Sequence, residues 1–268
     1  MRRNFLTLSL IALALATVTH SPLARAEEWR KQYTVSGKPT LHVEGNDINV
    51  TITSWDEKQV DAHVIADGYK IGPNNIRVNE SQSGDEIRIE VRKPGGTYFN
   101  FGYKRSLRIE VSVPRESNLN LHTADGNIRV DGVSGELRLV TDDGNVDANG
   151  LDGKLDINTS DGNVKLSGRF DTVNLRTGDG NVEVAANEGS TNTSGWRIES
   201  SDGNVRLRVP STFTADLDAR TGDGKITLDL PVLTSGDISQ TNIRGKMNGG
   251  GAPLELRTSD GNIALNRL

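Results

Sequence analysis

Leu119-Asn-Leu-His-Thr-Ala-Asp-Gly-Asn-Ile-Arg-Val130 decides the fold. Its Asp-Gly pair recurs along the chain, at Asp125, Asp143, Asp161, Asp179, Asp202, Asp223 and Asp260. The first four copies are eighteen residues apart, and the next gaps are 23, 21 and 37. The last gap is close to two periods, which predicts one turn of chain there that has lost its signature.

The flanks repeat with the turn. Two residues before each Asp stands Thr123, Thr141, Thr159, Thr177, Ser200, Thr221 or Thr258. Aliphatic residues, with Trp196 once, fill the positions four and six before it and three and five after it. The intervening positions are mostly charged or polar. Period two on both sides of a fixed turn describes a strand, a turn and a strand with one face inward. Asp can bond backbone two residues on and Gly takes positive φ without a Cβ clash, so Asp-Gly suits the turn.

A lone Asp-Gly between strands suggests a hairpin. Copies in register suggest that each unit stacks on the last. One unit buries four apolar side chains but orders eighteen residues, and so depends on its neighbours for stability. The expected fold is all-β, a single-stranded β-solenoid of ~18-residue Thr-x-Asp-Gly-Asn-Val repeats, with strands ~4.8 Å apart. By parity the Thr ladder points inward, where its hydroxyls need partners along the stack.

Composition agrees with a thin core. Of 268 residues 34% are hydrophobic and 4% aromatic, with 29 glycines. There is no cysteine, which excludes disulfides and thiolate chemistry. The formal charge is −5, and residues 1–26 hold three Arg and no acid, so the remainder is more acidic. An acidic chain with both signs interspersed argues against nucleic acid as a partner.

Residues 1–26 read as a secretory signal peptide: Arg2 and Arg3, the apolar run Phe5–Val18, then Ala24-Arg25-Ala26 as cleavage site. No later stretch is long and apolar enough to span a membrane, so a periplasmic, extracellular or cell-surface location is expected. Residues 27–115 carry an irregular form of the pattern, with Gly45-Asn46-Asp47 as a degenerate first turn, and residues 116–268 the regular one. Within the first part, the segment 95–105 contains Tyr98, Phe99, Phe101 and Tyr103. It reads either as a loop that contacts a partner or as a flap capping the open end of the stack. Two insertions, Ala186–Gly195 and Pro231–Pro253, interrupt the regular part; the second reads as a long turn across the missing unit.

Chemistry is sparse. His42, His63 and His122 are far apart in sequence and form no zinc-ligand spacing. No Gly-x-Ser-x-Gly elbow or phosphate-binding glycine motif is present. The one constellation is the column of seven Asp. Three readings are open: turn residues only, calcium ligands between units, or a glycosidase carboxylate pair. The spacing is not the nonapeptide of calcium β-rolls, Lys225 replaces Asn in one unit, and a repeated site is not a unique site. No cofactor, metal or catalytic residue is expected. Like charges in a column should raise some of these pKa values.

These residues carry a resemblance. The exported start, the strand region at Trp55, Leu107-Arg-Ile-Glu-Val-Ser-Val-Pro114 leading into Leu119–Ile128, and Gly249–Ile263 resemble the bacterial "putative adhesin" β-repeat family, DUF4097, over about residues 35–268. That group is similar to LiaG- and LiaX-type envelope-stress proteins. The resemblance implies a β-solenoid at the cell envelope, with adhesion or binding of membrane-active peptides, and supplies no catalytic motif. The expected function is an exported, non-enzymatic binding module for an envelope or surface ligand, whether glycan, protein or peptide. The alternatives are a scaffold or stress accessory that self-associates through its ends, and an enzyme acting on polysaccharide.

Overall fold

The computed structural model describes residues 26–93, 105–234 and 239–268. Among them the chain is all-β, with no helix. The first strands are β1 (Glu27–Thr34), β2 (Thr40–Gly45), β3 (Asn49–Trp55), β4 (Gln59–Asp67), β5 (Arg77–Ser83), β6 (Glu86–Arg92) and β7 (Ser106–Pro114). Then come β8 (Asn118–Thr123), β9 (Ile128–Asp131), β10 (Ser134–Thr141), β11 (Val146–Thr159), β12 (Val164–Thr177) and β13 (Val182–Ala186). The last are β14 (Trp196–Ser200), β15 (Val205–Val209), β16 (Ala215–Thr221), β17 (Ile226–Asp229), β18 (Leu233–Thr234), β19 (Asn242–Met247), β20 (Pro253–Thr258) and β21 (Ile263–Arg267). All belong to one open hydrogen-bonded sheet.

Pairing through the middle is parallel at the repeat distance. Leu137 lies beside Leu119 and Leu155, and Val146 beside Ile128 and Val164. Residue i pairing with i+18 on both sides of the turn means that the chain returns to its start one strand spacing further on. Each such return is one coil. The apolar rows of the repeat all face the column between the two strand faces and are buried, except Leu228, which is partly buried. Burial of this continuous aliphatic column is what no single coil could supply.

Two expectations about the ends are corrected. First, coils do not follow chain order there. The coil β2/β3 lies between β6/β7 and β8/β9. At the other end the final coil β20/β21 lies between β14/β15 and β16/β17. Second, the 37-residue gap hides no missing coil. Residues 231–253 instead carry β19, which runs antiparallel on the outer edge of β16, and β18, antiparallel to β19, before the chain turns back. A matching cap closes the other end: β4 and β1 run antiparallel beyond β7, and β5 beyond β6. Phe213, on the connection that skips one position, packs on Trp196 at 4.8 Å between ring centroids, and Phe170 meets Trp196 edge-on at 6.2 Å.

The glycine of the Asp-Gly turn is also corrected. None of Gly126, Gly144, Gly162, Gly180, Gly203, Gly224 and Gly261 has positive φ. They are glycine because the backbones stack too closely for a side chain: a Cβ on Gly162 would sit 2.6 Å from the Gly144 carbonyl carbon. In the coil β2/β3 the solution is exchanged. Gly45 takes the register position of Thr123, and Ile48, fully buried, occupies the turn position of Gly126.

Candidate functional site

Two ladders, one buried and one exposed, fix the turn edge. The first is the Thr row, which is buried from Thr123 to Thr258. The Thr141 hydroxyl lies 2.9 Å from the carbonyl oxygens of both Ala124 and Gly126 in the preceding coil, and accepts the Gly144 N–H at 3.2 Å. Thr159, Ser200, Thr221 and Thr258 repeat this. Each hydroxyl thus both donates and accepts, which removes the cost of burying it. The turn is held by threonine. Among the described residues, no carboxylate of the seven turn Asp accepts a backbone N–H, contrary to the local Asp bond expected from sequence.

The second ladder is asparagine, running Asn49, Asn127, Asn145, Asn163, Asn181, Asn204 and Asn262. Each Oδ1 accepts both the backbone N–H and the Nδ2–H of the next member; for Asn181 onto Asn163 the distances are 3.0 and 3.2 Å. The same pair of bonds recurs at every step, and the ladder ends where Lys225 N–H meets Asn262 Oδ1 at 2.9 Å. Every Nδ2 keeps a second N–H, so the ladder itself offers donors, beside the exposed carboxylates of the turn Asp.

A trough of about 580 Å³ runs beside this ladder, lined by Asn163, Asn181, Asn204 and Asn262 on one side and by Lys165, Glu183 and Arg206 on the other. Lys165, Glu183 and Arg206 lie in one row on successive coils. Glu183 is paired with Arg208 at 2.6 Å. Lys165 and Arg206 make no ion pair among the described residues. Elsewhere the faces neutralise themselves from coil to coil: Arg129 with Asp147 at 3.3 Å, Lys154 with Glu136 at 2.9 Å, Arg176 with Glu199 at 3.0 Å.

The Asp column itself is exposed. Asp125, Asp143, Asp161, Asp179, Asp202, Asp223 and Asp260 line the turn edge. Loss of hydration against the stacked turns, then the carboxylates of Asp47, Asp143 and Asp142, push Asp125 above the ordinary carboxylate range. Among the described residues no three acidic or imidazole groups are placed to hold one metal ion. His42 and His122, far apart in sequence, meet on adjacent strands around a cleft of about 290 Å³ with Glu44, Glu90 and Arg88. His63 instead contacts Glu28 at 3.1 Å. The signal segment and Tyr98, Phe99, Phe101 and Tyr103 lie outside the described residues. The flanks of the aromatic segment are described: Lys93 and Arg105 stand 5.7 and 5.3 Å from the Tyr69 ring.

The sequence shows Asn as part of the repeated Asp-Gly-Asn turn, but the hydrogen-bonded ladder and the trough were not read from it. The signal was present, because Asn follows Gly in six of the seven Asp-Gly units, but Asn49 stands in a unit without Asp-Gly.

Fold and site together define an all-β protein of parallel strands with laddered, largely polar faces. The chain belongs to the Toastrack family, DUF4097, whose model matches residues 40–266. No curated protein matches it. Among solved structures it is similar to a "putative adhesin" of Bacteroides fragilis, at 15% identity over 90% of this chain and 97% of that one, with a TM-score of 0.53. A "putative cell adhesion protein" of Clostridium sporogenes aligns at 13% identity over 91% and 100% of the two chains, with a TM-score of 0.42. A "putative lipid binding protein" of Parabacteroides distasonis aligns at 11% identity over 89% and 96%, with a TM-score of 0.37.

Proposed function

We propose that this chain is an exported, non-enzymatic binding protein of the cell envelope or surface, built as a β-solenoid, that holds an extended glycan along the asparagine trough. The trough is the observation that carries the reading. Carboxamide N–H groups recur once per coil, at a strand spacing of ~4.8 Å. Lys165 and Arg206 stand two coils apart, ~9.6 Å on the same spacing. A polymer with hydroxyl acceptors on successive units and an anionic group on every second unit matches both rows. The adhesin description of the Bacteroides fragilis structure belongs to that protein, and adhesion is carried here as part of the proposal.

Catalysis has little support by comparison. The carboxylates come as a repeated exposed column, whereas glycoside hydrolysis needs one acid and one base set apart by environment.

The test is capture of acidic and neutral glycans by immobilised residues 27–268. Lys165→Ala/Arg206→Ala should lose the acidic glycans with unchanged far-UV circular dichroism. A variant lacking residues 96–104 runs alongside. Capture that survives the double substitution but fails in the deletion would move the site to the aromatic segment. Capture of no glycan by any of the three proteins would refute the proposal.

A further inference from the structure

An ordinary stack of coils is weakest at its ends, because the terminal coil has one neighbour and peels one strand pair at a time. This stack departs from that arrangement at both ends. The first coil in chain order, β2/β3, is bonded on one flank to β6/β7 and on the other to β8/β9. The last, β20/β21, is bonded to β14/β15 and to β16/β17. The coils at the physical edges are ones from inside the sequence.

We propose that this interleaving makes the chain a tension-bearing module, in which load entering along the chain is received by coils clamped on both flanks. Load that enters through residue 268 is received by β21. Five residues of β21 pair with β15 and four of the same residues pair with β17. Withdrawing β21 therefore opens two ladders together. Its side chains Ile263 and Leu265 are fully buried, as are Leu254 and Leu256 of β20.

The clamp is also fastened from outside. The insertion 187–195 reaches over it, with Asn192 Nδ2 donating to the Ala252 and Pro253 carbonyls at 2.9 and 3.0 Å. Arg257 Nη1 donates to the Asp218 carbonyl at 2.6 Å, tying the coil to β16. Leu268 N–H donates to the Val209 carbonyl at 2.9 Å. The hinge into the coil is pinned by Asn248, whose Nδ2 donates to the carbonyls of Ser211 and Phe213 at 2.8 and 2.9 Å. The insertion at 187–195, polar and without evident chemistry in the sequence, thus acts as a strap on the last coil. At the amino-terminal side the order of events differs. β1 has one partner, β4, and peels first; the load then reaches the clamped coil β2/β3.

The absence of cysteine allows single-thiol handles to be placed at will. Two doubly labelled proteins share a handle at Lys154→Cys, on the exposed face of a central coil. One carries the second handle at Leu268→Cys, on the clamped coil; the other at Asp229→Cys, on the neighbouring edge coil. In optical-tweezer pulling, first rupture from residue 268 should need about twofold the force of rupture from 229, since two ladders rather than one must open at once. Hydrogen exchange on the unlabelled protein gives an independent reading. Amides of 254–267 should exchange more slowly than those of 226–229, the reverse of the fraying usual near a chain end. Equal or lower force at 268, or exchange at 254–267 as fast as at 226–229, overturns the proposal. Either measurement stands whether or not a glycan is bound.

Discussion

Replacing Gly162 by Ala separates two reasons for the glycine of the repeated turn. Gly162 does not have positive φ, so backbone preference alone predicts that alanine stabilises by ~0.4–1 kcal/mol through the unfolded state. The stack predicts the opposite. The new Cβ would stand 2.6 Å from the Gly144 carbonyl carbon and 2.8 Å from Thr159 Oγ1, with the Gly144 oxygen nearer still. Carbon atoms in contact sit ~3.5–4.0 Å apart, so the two coils must part by about 1 Å at the turn. The two nearest of these atoms, the Gly144 carbonyl carbon and oxygen, are backbone and cannot swing aside. Overpacking of this kind costs ~1–3 kcal/mol. Separation also stretches the bonds that join these two coils at the turn, from Thr159 Oγ1 to the Asp142 and Gly144 carbonyl oxygens at 3.1 and 3.3 Å, each worth ~0.5–1.5 kcal/mol. A net loss of ~3 kcal/mol corresponds to a melting midpoint lower by roughly 6–12 °C for a chain of this size. The control is Gly84→Ala, where φ is +59° and nothing lies within 4 Å of a Cβ; left-handed strain alone should cost ~1–2 kcal/mol. Thermal unfolding followed by far-UV circular dichroism measures both. A Gly162→Ala midpoint at or above wild type, or a smaller loss than Gly84→Ala, would refute close stacking as the reason for the glycine row.

Thr159→Val leaves the Gly162 N–H and the carbonyls of Asp142 and Gly144 without their hydroxyl partner and should cost ~1–3 kcal/mol, while Thr159→Ser, the residue the chain itself uses at Ser200, should cost less; urea midpoints order the two. Asp61 is nearly buried, and its bonds to Arg30 hold its carboxyl below the usual range, against burial. Its folded pKa is therefore depressed, so its contribution is present above the unfolded value of ~3.9 and lost as pH falls through the folded one. Wild type should lose stability in that window, and Asp61→Asn, already weakened at pH 7, should lose less. Asp125 has the opposite sign: its raised pKa means that stability falls as pH rises through the carboxylate range. Asp125→Asn should raise the melting midpoint at pH 7 and leave it unchanged at pH 3, and a carboxylate NMR titration of wild type should place Asp125 above Asp61.

The repeated core was legible because one short-range rule fixes it. Alternation about each turn places every apolar row, and parity sends Thr141 and its equivalents inward. The purpose of the turn residues was less legible. Asp-Gly in an isolated stretch is a local signal of positive φ, whereas here Gly126 and its equivalents answer to a backbone one coil away. Nothing within four residues of Gly126 reports the Ile48 carbonyl that a Cβ there would strike, because Ile48 lies 78 residues earlier. The trough was missed for a related reason. Asn49 joins the ladder by register rather than by motif, and Lys165 and Arg206 are 41 residues apart until the coils stack them.

The order of the coils was illegible on stronger grounds. The rows that make one coil fit the next are the same in every unit, so the sequence of a coil specifies that it stacks but not on which neighbour. Leu254 and Leu256 would meet Leu217 and Ala219 equally well from either side. What chooses the order is the chain between coils. After β15 the connection 210–214 carries Phe213 into the core beside Trp196, and the coil β16/β17 comes down one position further out. The slot left behind is closed only when 253–268 arrives, guided back by β19 and received by Asn192. The two insertions that look like interruptions of the repeat are therefore the parts that determine its topology. A chain with the same coils and short connections would be expected to stack in sequence order, with its last coil exposed at the edge.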